Sequence, residues 1–317
     1  MTTAKLMQIT LLALAPGAIA MTFWWGPGIL VNLIVAATLS ALLEQGYAKL
    51  RRGPTPSGGY GAAILAGCLL ALCLPPYVPI SVLIIGVVAG LVLGKYVYGG
   101  LGNNPFNPAL VGYCFIMISF PAELTFWMHP TDGHWDWQSV LAAKMFASTV
   151  DGYSGATLLD TFRHRGALTV EEMLGVTSLF DRPHTLINVG FLSGGLVLLA
   201  LRIIRYQAPL GFLLGLALPA LLFFDSGSSQ SLGSPIFHLL SGGTMLAAFF
   251  IVTDPVSGPD RPHSQFWFGL IAGGLTFLLR SYSAYPDGIA FAILIANIFG
   301  PLLDTLLDKP HRSEAST

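Results

Sequence analysis

Ten apolar runs, most of them close to twenty residues long and joined by short polar connections, dominate this sequence. A run of that length is what an α-helix needs to cross about 30 Å of hydrocarbon. They lie at approximately Leu6–Trp25, Gly28–Leu50, Tyr60–Leu74, Ile80–Tyr98, Phe106–Phe120, Leu186–Arg205, Leu210–Phe224, Ile236–Thr253, Gln265–Tyr282 and Gly288–Leu307. At 317 residues the chain has room for two soluble domains, but 54% hydrophobic and 10% charged residues lie far from globular usage. The expected fold is therefore an all-α polytopic membrane protein. The net charge of −1 leaves no basic surplus to neutralise nucleic-acid phosphates.

The first run follows Lys5 and contains Ala18-Ile19-Ala20, which has the look of a signal-peptide cleavage site. Apolar residues nevertheless continue through Phe23, Trp24 and Trp25, an interfacial aromatic belt, so the run reads as a retained helix. Orientation follows from the basic residues. With the N-terminus inside, Lys5, Lys49, Arg51, Arg52, Lys95, Arg202, Arg205, Arg261, Lys309 and Arg312 fall on the inner side, while only Arg280 marks a short outer connection. Lys144, Arg163, Arg165 and Arg182 belong to one long outer segment. Both termini are expected on the cytoplasmic side of the membrane.

That division gives a first five-helix half at 1–120, an outer segment at 121–185, a second five-helix half at 186–308 and a short tail at 309–317. Five spans per half is an odd number, so related halves must form an inverted-topology repeat. Asn103-Asn104-Pro105-Phe106-Asn107-Pro108, entering the fifth span, has an echo in Tyr285-Pro286-Asp287-Gly288 and Asn297-Ile298-Phe299-Gly300-Pro301 of the tenth.

Chemistry concentrates in the outer segment, in Asp151-Gly152-Tyr153-Ser154-Gly155-Ala156-Thr157. As residues alone these read as a turn whose side-chain oxygens cap nearby N–H groups. The seven positions also resemble the signal at which a flavin transferase joins FMN through its phosphate to the final hydroxyl, here Thr157. Asp151 would help present that hydroxyl, Gly155 and Ala156 would leave space around it, and Ser154 is the rival acceptor.

The resemblance extends to Gly94-Lys95-Tyr96-Val97-Tyr98-Gly99-Gly100-Leu101-Gly102-Asn103-Asn104-Pro105, to Ile118-Ser119-Phe120-Pro121, to Thr253-Asp254-Pro255-Val256-Ser257 and to Asp287-Gly288-Ile289-Ala290. Together these resemble the RnfD family, membrane components of the Rnf ion-translocating electron-transport complex. More distantly they are similar to the NqrB component of the sodium-translocating NADH:quinone reductase. The resemblance implies a ten-helix fold similar to urea transporters. It also implies covalent FMN on the outer face and a second, non-covalent flavin, riboflavin in the relatives. The implied partners are the other subunits of a ferredoxin- and NADH-linked complex, one of them a second carrier of covalent FMN, with the transferase acting during maturation. Such a protein relays electrons coupled to Na+ or H+ movement and has no complete activity alone. On fold alone a solute channel or transporter fits equally.

Gly99 and Gly100, with Asn103 and Asn104, offer bare backbone and amides to a flavin edge, or else pack helices and cap broken ends. Lys95 either meets a flavin or quinone oxygen or snorkels to the interface. Glu44, Asp225, Asp287, Asp304 and Asp308 sit at span ends, where solvation at the interface is the ordinary expectation. Cys68, Cys73 and Cys114 read as small buried apolar residues. No catalytic residue and no metal ligand is assigned.

The orientation has a direct test in single cysteines placed in a chain lacking Cys68, Cys73 and Cys114. Gly155→Cys is expected to react with an impermeant thiol reagent in whole cells, and Gly53→Cys and Ser257→Cys to stay unlabelled. Strong labelling at 53 or 257 inverts the topology.

Overall fold

Proline removes a backbone donor and glycine a side chain, and the long apolar runs of this chain are interrupted where such residues cluster. The computed structural model describes residues 2–51, 58–128, 130, 137–146, 154–155, 157–174, 182–225, 227–283, 285 and 287–307. Asp151, Ala156, Arg52, Asp308 and the expected tail 309–317 lie outside the described residues.

The first run forms α1 (Thr3–Ala13) and α2 (Ala15–Trp25), parted at Leu14 with Pro16 in the first turn of α2. Then come α3 (Gly28–Leu50), α4 (Gly59–Cys73), α5 (Ile80–Leu91) and α6 (Pro108–Ser119). The outer segment carries the short helices α7 (Pro121–Thr125), α8 (Trp137–Phe146), α9 (Leu158–Arg163) and α10 (Val170–Leu174). A two-residue antiparallel pair, β1 (Trp127–Met128) and β2 (Ser154–Gly155), joins the start of this segment to its middle. The second group is α11 (Pro183–Ala200), α12 (Gln207–Leu222), α13 (Pro235–Leu240), α14 (Thr244–Leu246), α15 (Pro262–Tyr282) and α16 (Ile289–Leu306).

The chain is thus an all-α polytopic membrane protein. By length and composition, Thr3–Trp25, Gly28–Leu50, Pro183–Ala200 and Ile289–Leu306 suffice to cross a bilayer, and four further apolar helices are shorter. Besides the first, two further runs expected as single helices are not. The fourth passes from α5 into a π-helical turn, Val92–Tyr96. The eighth breaks at Ser241-Gly242-Gly243, with Gly242 at φ +58°, and ends in a second π-helical turn, Ala247–Ile251. Apolar periodicity records burial, not the local hydrogen-bond pattern, so neither π turn is legible in the sequence.

Helices in lipid gain little from apolar burial against one another and are held by close packing of small residues. The seam between α12 and α15 shows this: a Cβ at Gly211 or Gly215 would strike the carbonyls of Phe266 or Leu270, and one at Gly269 or Gly273 those of Ala208 or Phe212. The first group meets the second through α2 on α11 and α6 on α16, the first span against the sixth and the fifth against the tenth. At the former junction a Cβ on Gly190 would lie 2.9 Å from Gly17 Cα.

The outer segment is pinned at two places. On the second group, Phe162 of α9 packs on Phe237, Arg163 donates to Arg280 O at 2.8 Å, and Arg165 donates to Ser229 O at 3.0 Å and to Ser231 O. On the first group, Lys144 of α8 is 1% exposed and donates to Asn32 Oδ1 at 2.5 Å and to Val78 O at 3.1 Å. Burial pushes its ammonium down to about 7. The neutral amine keeps both N–H groups these bonds use.

Because the folded value lies below the ordinary 10.5, the unfolded segment binds the extra proton between the two values, and docking gains stability as pH rises through that window. Cleavage of the outer segment by added protease is expected to slow from pH 7 to pH 9, after correction for the protease's own profile. Lys144→Met should flatten that dependence. An unchanged slope in the variant would remove Lys144 as its origin.

Candidate functional site

Thr157 sits where an extended backbone turns into a helix. At φ −64°, ψ 160° it is the N-cap of α9, and its hydroxyl accepts from Asp160 N at 3.1 Å. Two residues before it, β2 pairs with β1 in the register Trp127 with Gly155 and Met128 with Ser154. Trp127 in turn lies edge-on to Trp25 of α2, their ring centroids 5.6 Å apart. The motif is therefore strapped to the first group through β1 and to the second through α9. Thr157 itself is half-buried.

Beneath it opens a cavity of about 340 Å³ at the seam between the two groups. Thr157, Leu158, Leu159 and Asp160 form one side of its mouth, with Thr125 and Trp127 also lining it. Its walls are mostly apolar: Met21 and Trp25 of α2, Leu110 and Met117 of α6, Ile187 and Phe191 of α11, and Leu246 of α14. Polar groups are few, as in ligand pockets generally. They are Cys73, Tyr113, His184, Tyr285 and Asp287, besides the residues at the mouth. The His184 ring stands edge-on to Trp25 at 5.2 Å.

Asp287 is held firmly. It accepts from Arg280 Nε at 3.1 Å, from Gly243 N at 3.1 Å and from Ile289 N at 3.4 Å. Arg280 is buried and also donates to His238 O at 2.9 Å and Thr244 Oγ1 at 2.9 Å. The expectation that Asp287 is an interfacially solvated carboxylate is thus corrected: it closes a charged network beside the cavity.

The other expected site residues gather at the opposite end of the bundle. Lys95 is 2% exposed and donates to Glu44 Oε2 at 2.7 Å and to Gly59 O at 3.4 Å. It neither snorkels nor presents its ammonium to an open site, and Glu44, also 2% exposed, is not solvated at an interface. The reason is mutual: α3 and the π turn bring the two charges together, and each offsets the other's cost of burial. Gly99 and Gly100 take φ +95° and +101° in the turn that follows, where Arg51 Nη1 donates to Gly99 O at 2.7 Å. Tyr47 stacks on Tyr96 at 4.3 Å and lies against Gly100, so a side chain there would meet the tyrosine ring.

Asn103 is exposed, and Asn104 is buried with its amide donating locally to Phe106 O at 3.0 Å. Next to them, Asn107 caps α6 through Ala109 N and also donates to Asp254 Oδ2 at 3.3 Å. None of Lys95, Gly99, Gly100, Asn103 or Asn104 lines the cavity under Thr157. Among the described residues expected to contact a flavin, Thr157 is the one that lines it. The lining residues Trp25, Tyr113, Cys73 and Asp287 come from four separate stretches; of these the sequence marks Trp25, as part of an interfacial aromatic belt, and Asp287, within a family-like stretch, but neither signal points to a shared cavity.

Known proteins similar in sequence cover nearly all of the chain. Residues 1–312 match the NQR2, RnfD, RnfE family. A protein of Cellvibrio japonicus, named as the D subunit of an ion-translocating oxidoreductase complex, is 40% identical over 99% of this chain and 94% of its own length. Proteins of the same name from Pseudomonas aeruginosa and Vibrio cholerae are 41% and 38% identical over 95% of this chain, and over 89% and 92% of their own lengths. Identity of this extent, spanning both helical groups and the segment between them, places the chain in the NQR2, RnfD, RnfE family.

Proposed function

We propose that this chain is the membrane flavoprotein component of an ion-translocating oxidoreductase complex, with FMN joined through its phosphate to Thr157. The observation that carries the reading is the position of Thr157: the last residue of the flavinylation-like motif is held at the mouth of a mostly apolar cavity between the two helical groups. The residues fit such a group. Thr157 is half-buried, and its hydroxyl accepts a hydrogen bond from Asp160 N while its own proton is uncommitted among the described residues. Gly155, two residues earlier, adds no bulk.

A bound flavin supplies one- and two-electron relay chemistry. The chain supplies the rest. It fixes the attachment point by the β1–β2 pair and the α9 dock, excludes water with tryptophan and aliphatic walls, and holds the Arg280–Asp287 pair beside the slot. One carrier at the outer end of the bundle cannot hand electrons through about 30 Å of hydrocarbon. A second, non-covalent flavin at another depth, with the complex's remaining subunits as donor and acceptor, belongs to the same proposal, as does coupling to Na+ or H+. The matching junctions of first span with sixth and fifth with tenth support the inverted-repeat reading of the two groups.

The test is flavin fluorescence of the denatured chain in a gel. Thr157→Ala is expected to lose it to background and Ser154→Ala to keep it. The reverse pattern moves the ester to Ser154, and fluorescence retained in both variants removes covalent flavin from this motif.

A further inference from the structure

The flavin motif faces the outer side, so the simplest picture leaves the ring lying on the outer surface. The shape of the molecule argues for another placement. The hydroxyl proposed to carry the cofactor opens onto a slot along the seam, lined by Trp25, Phe191 and, on α6, Met117, Tyr113 and Leu110. Its walls are aromatic and aliphatic, which suits a flat, largely apolar ring system, and its volume of about 340 Å³ falls within the range of small-molecule sites.

The polar groups inside are Cys73, Tyr113, His184, Tyr285 and Asp287, and they differ in how far they are already paired. Asp287 is already supplied with donors by Arg280, Gly243 and Ile289, so its oxygens have little capacity left for a ligand. Tyr113 and Cys73 differ. Both line the slot, neither is fully buried, and among the described residues the Tyr113 hydroxyl and the Cys73 thiol have no hydrogen-bond partner. They come from adjacent helices, α6 and the last residue of α4, and so place a donor-acceptor hydroxyl and a weakly polar thiol in the wall of the slot. An isoalloxazine presents apolar faces and a rim of carbonyl oxygens and ring nitrogens, which is the complement of this arrangement.

We infer that the seam cavity is the seat of the isoalloxazine ring of the flavin tethered at Thr157, with Tyr113 hydrogen-bonded to its polar rim and Cys73 in contact with it. This rests on the covalent attachment proposed above and extends it: the ring lies within the bundle, between the two helical groups, and the tether alone is at the surface. The helical groups then share one cofactor, and a shift of α6 against α11 would change the ring's surroundings.

Cys73 makes the inference measurable. Cys68 and Cys114 are buried, and Cys68→Ser with Cys114→Ser leaves Cys73 as the reporter. The full chain is prepared in membranes from cells with and without the flavin transferase, and its Cys73 is reacted with a small organomercurial. A seated ring covers most of the surface of its pocket, so modification is expected on the order of tenfold slower in the flavin-carrying chain. Equal rates in the two preparations, fast or absent, overturn the seat.

Tyr113→Phe supplies a second readout. It is expected to keep covalent flavin in the denatured gel while shifting the absorption maximum and midpoint potential of that flavin in the folded chain. An unshifted spectrum and potential overturn the Tyr113 contact. Failure of the attachment itself is separately visible: the unmodified chain made with the transferase would then carry no fluorescence in the denatured gel.

Discussion

A chain that breaks its helices inside a bilayer must give every freed backbone group a partner, because an unpaired one costs several kcal/mol where no water can reach it. The break at Ser241-Gly242-Gly243 shows how this is met. Asn188 of α11 donates to Leu240 O at 3.1 Å and Gly242 O at 2.9 Å, and its carbonyl accepts from Met245 N at 3.0 Å. Arg280 of α15 donates to His238 O and Ser241 O, and Asp287 accepts from Gly243 N. In the first group Asn32 donates to Pro75 O at 3.1 Å, while Lys144 donates to Val78 O. These side chains replace the missing helix ladder, and they also fix the relative positions of the helices that bear them.

The cavity follows from the same constraint. Its wall at Gly242 and Gly243 is bare backbone, and it can stay bare because Asn188, Arg280 and Asp287 satisfy that backbone from behind. A continuous helix here would have carried side chains into the slot. The close junctions of α2 on α11 and α6 on α16 close the seam on either side of it, and α9, docked by Phe162 and Arg165, sets Thr157 over the opening. At the other end of the bundle the Glu44–Lys95 pair plays a mechanical part. Losing either partner would strand a buried charge at a cost of about 3–5 kcal/mol, and the pair ties α3 to the π turn that begins the Gly99–Gly102 loop.

Much of this is legible in the residues. Twenty-residue apolar runs can only be spans, because hydrocarbon thickness sets their length, and the long polar interval at 121–185 can only lie outside them. The motif ending in Thr157 can be recognised because it is local, seven consecutive residues. Lys95 and Glu44 mislead for the opposite reason: each invites comparison with lipid and water, yet each is answered by a charge fifty-one residues away in the sequence. Asp287 misleads likewise, since Arg280 marks an outer connection in the charge count and is buried against it in the fold.

The sequence by itself determined the solvent of this protein and its all-α fold class, and it singles out Thr157 as the hydroxyl proposed to carry a cofactor. All of these depend on composition, run length or contiguous residues. What only the tertiary structure decided is where emptiness lies and which polar groups are already paired. Cys73, Tyr113, Asp287 and Thr157 are separated by at least forty residues along the chain and share one cavity only because the helices cross as they do. Whether a buried polar atom is paired or left facing a slot depends on those crossings, and no local pattern of residues encodes them.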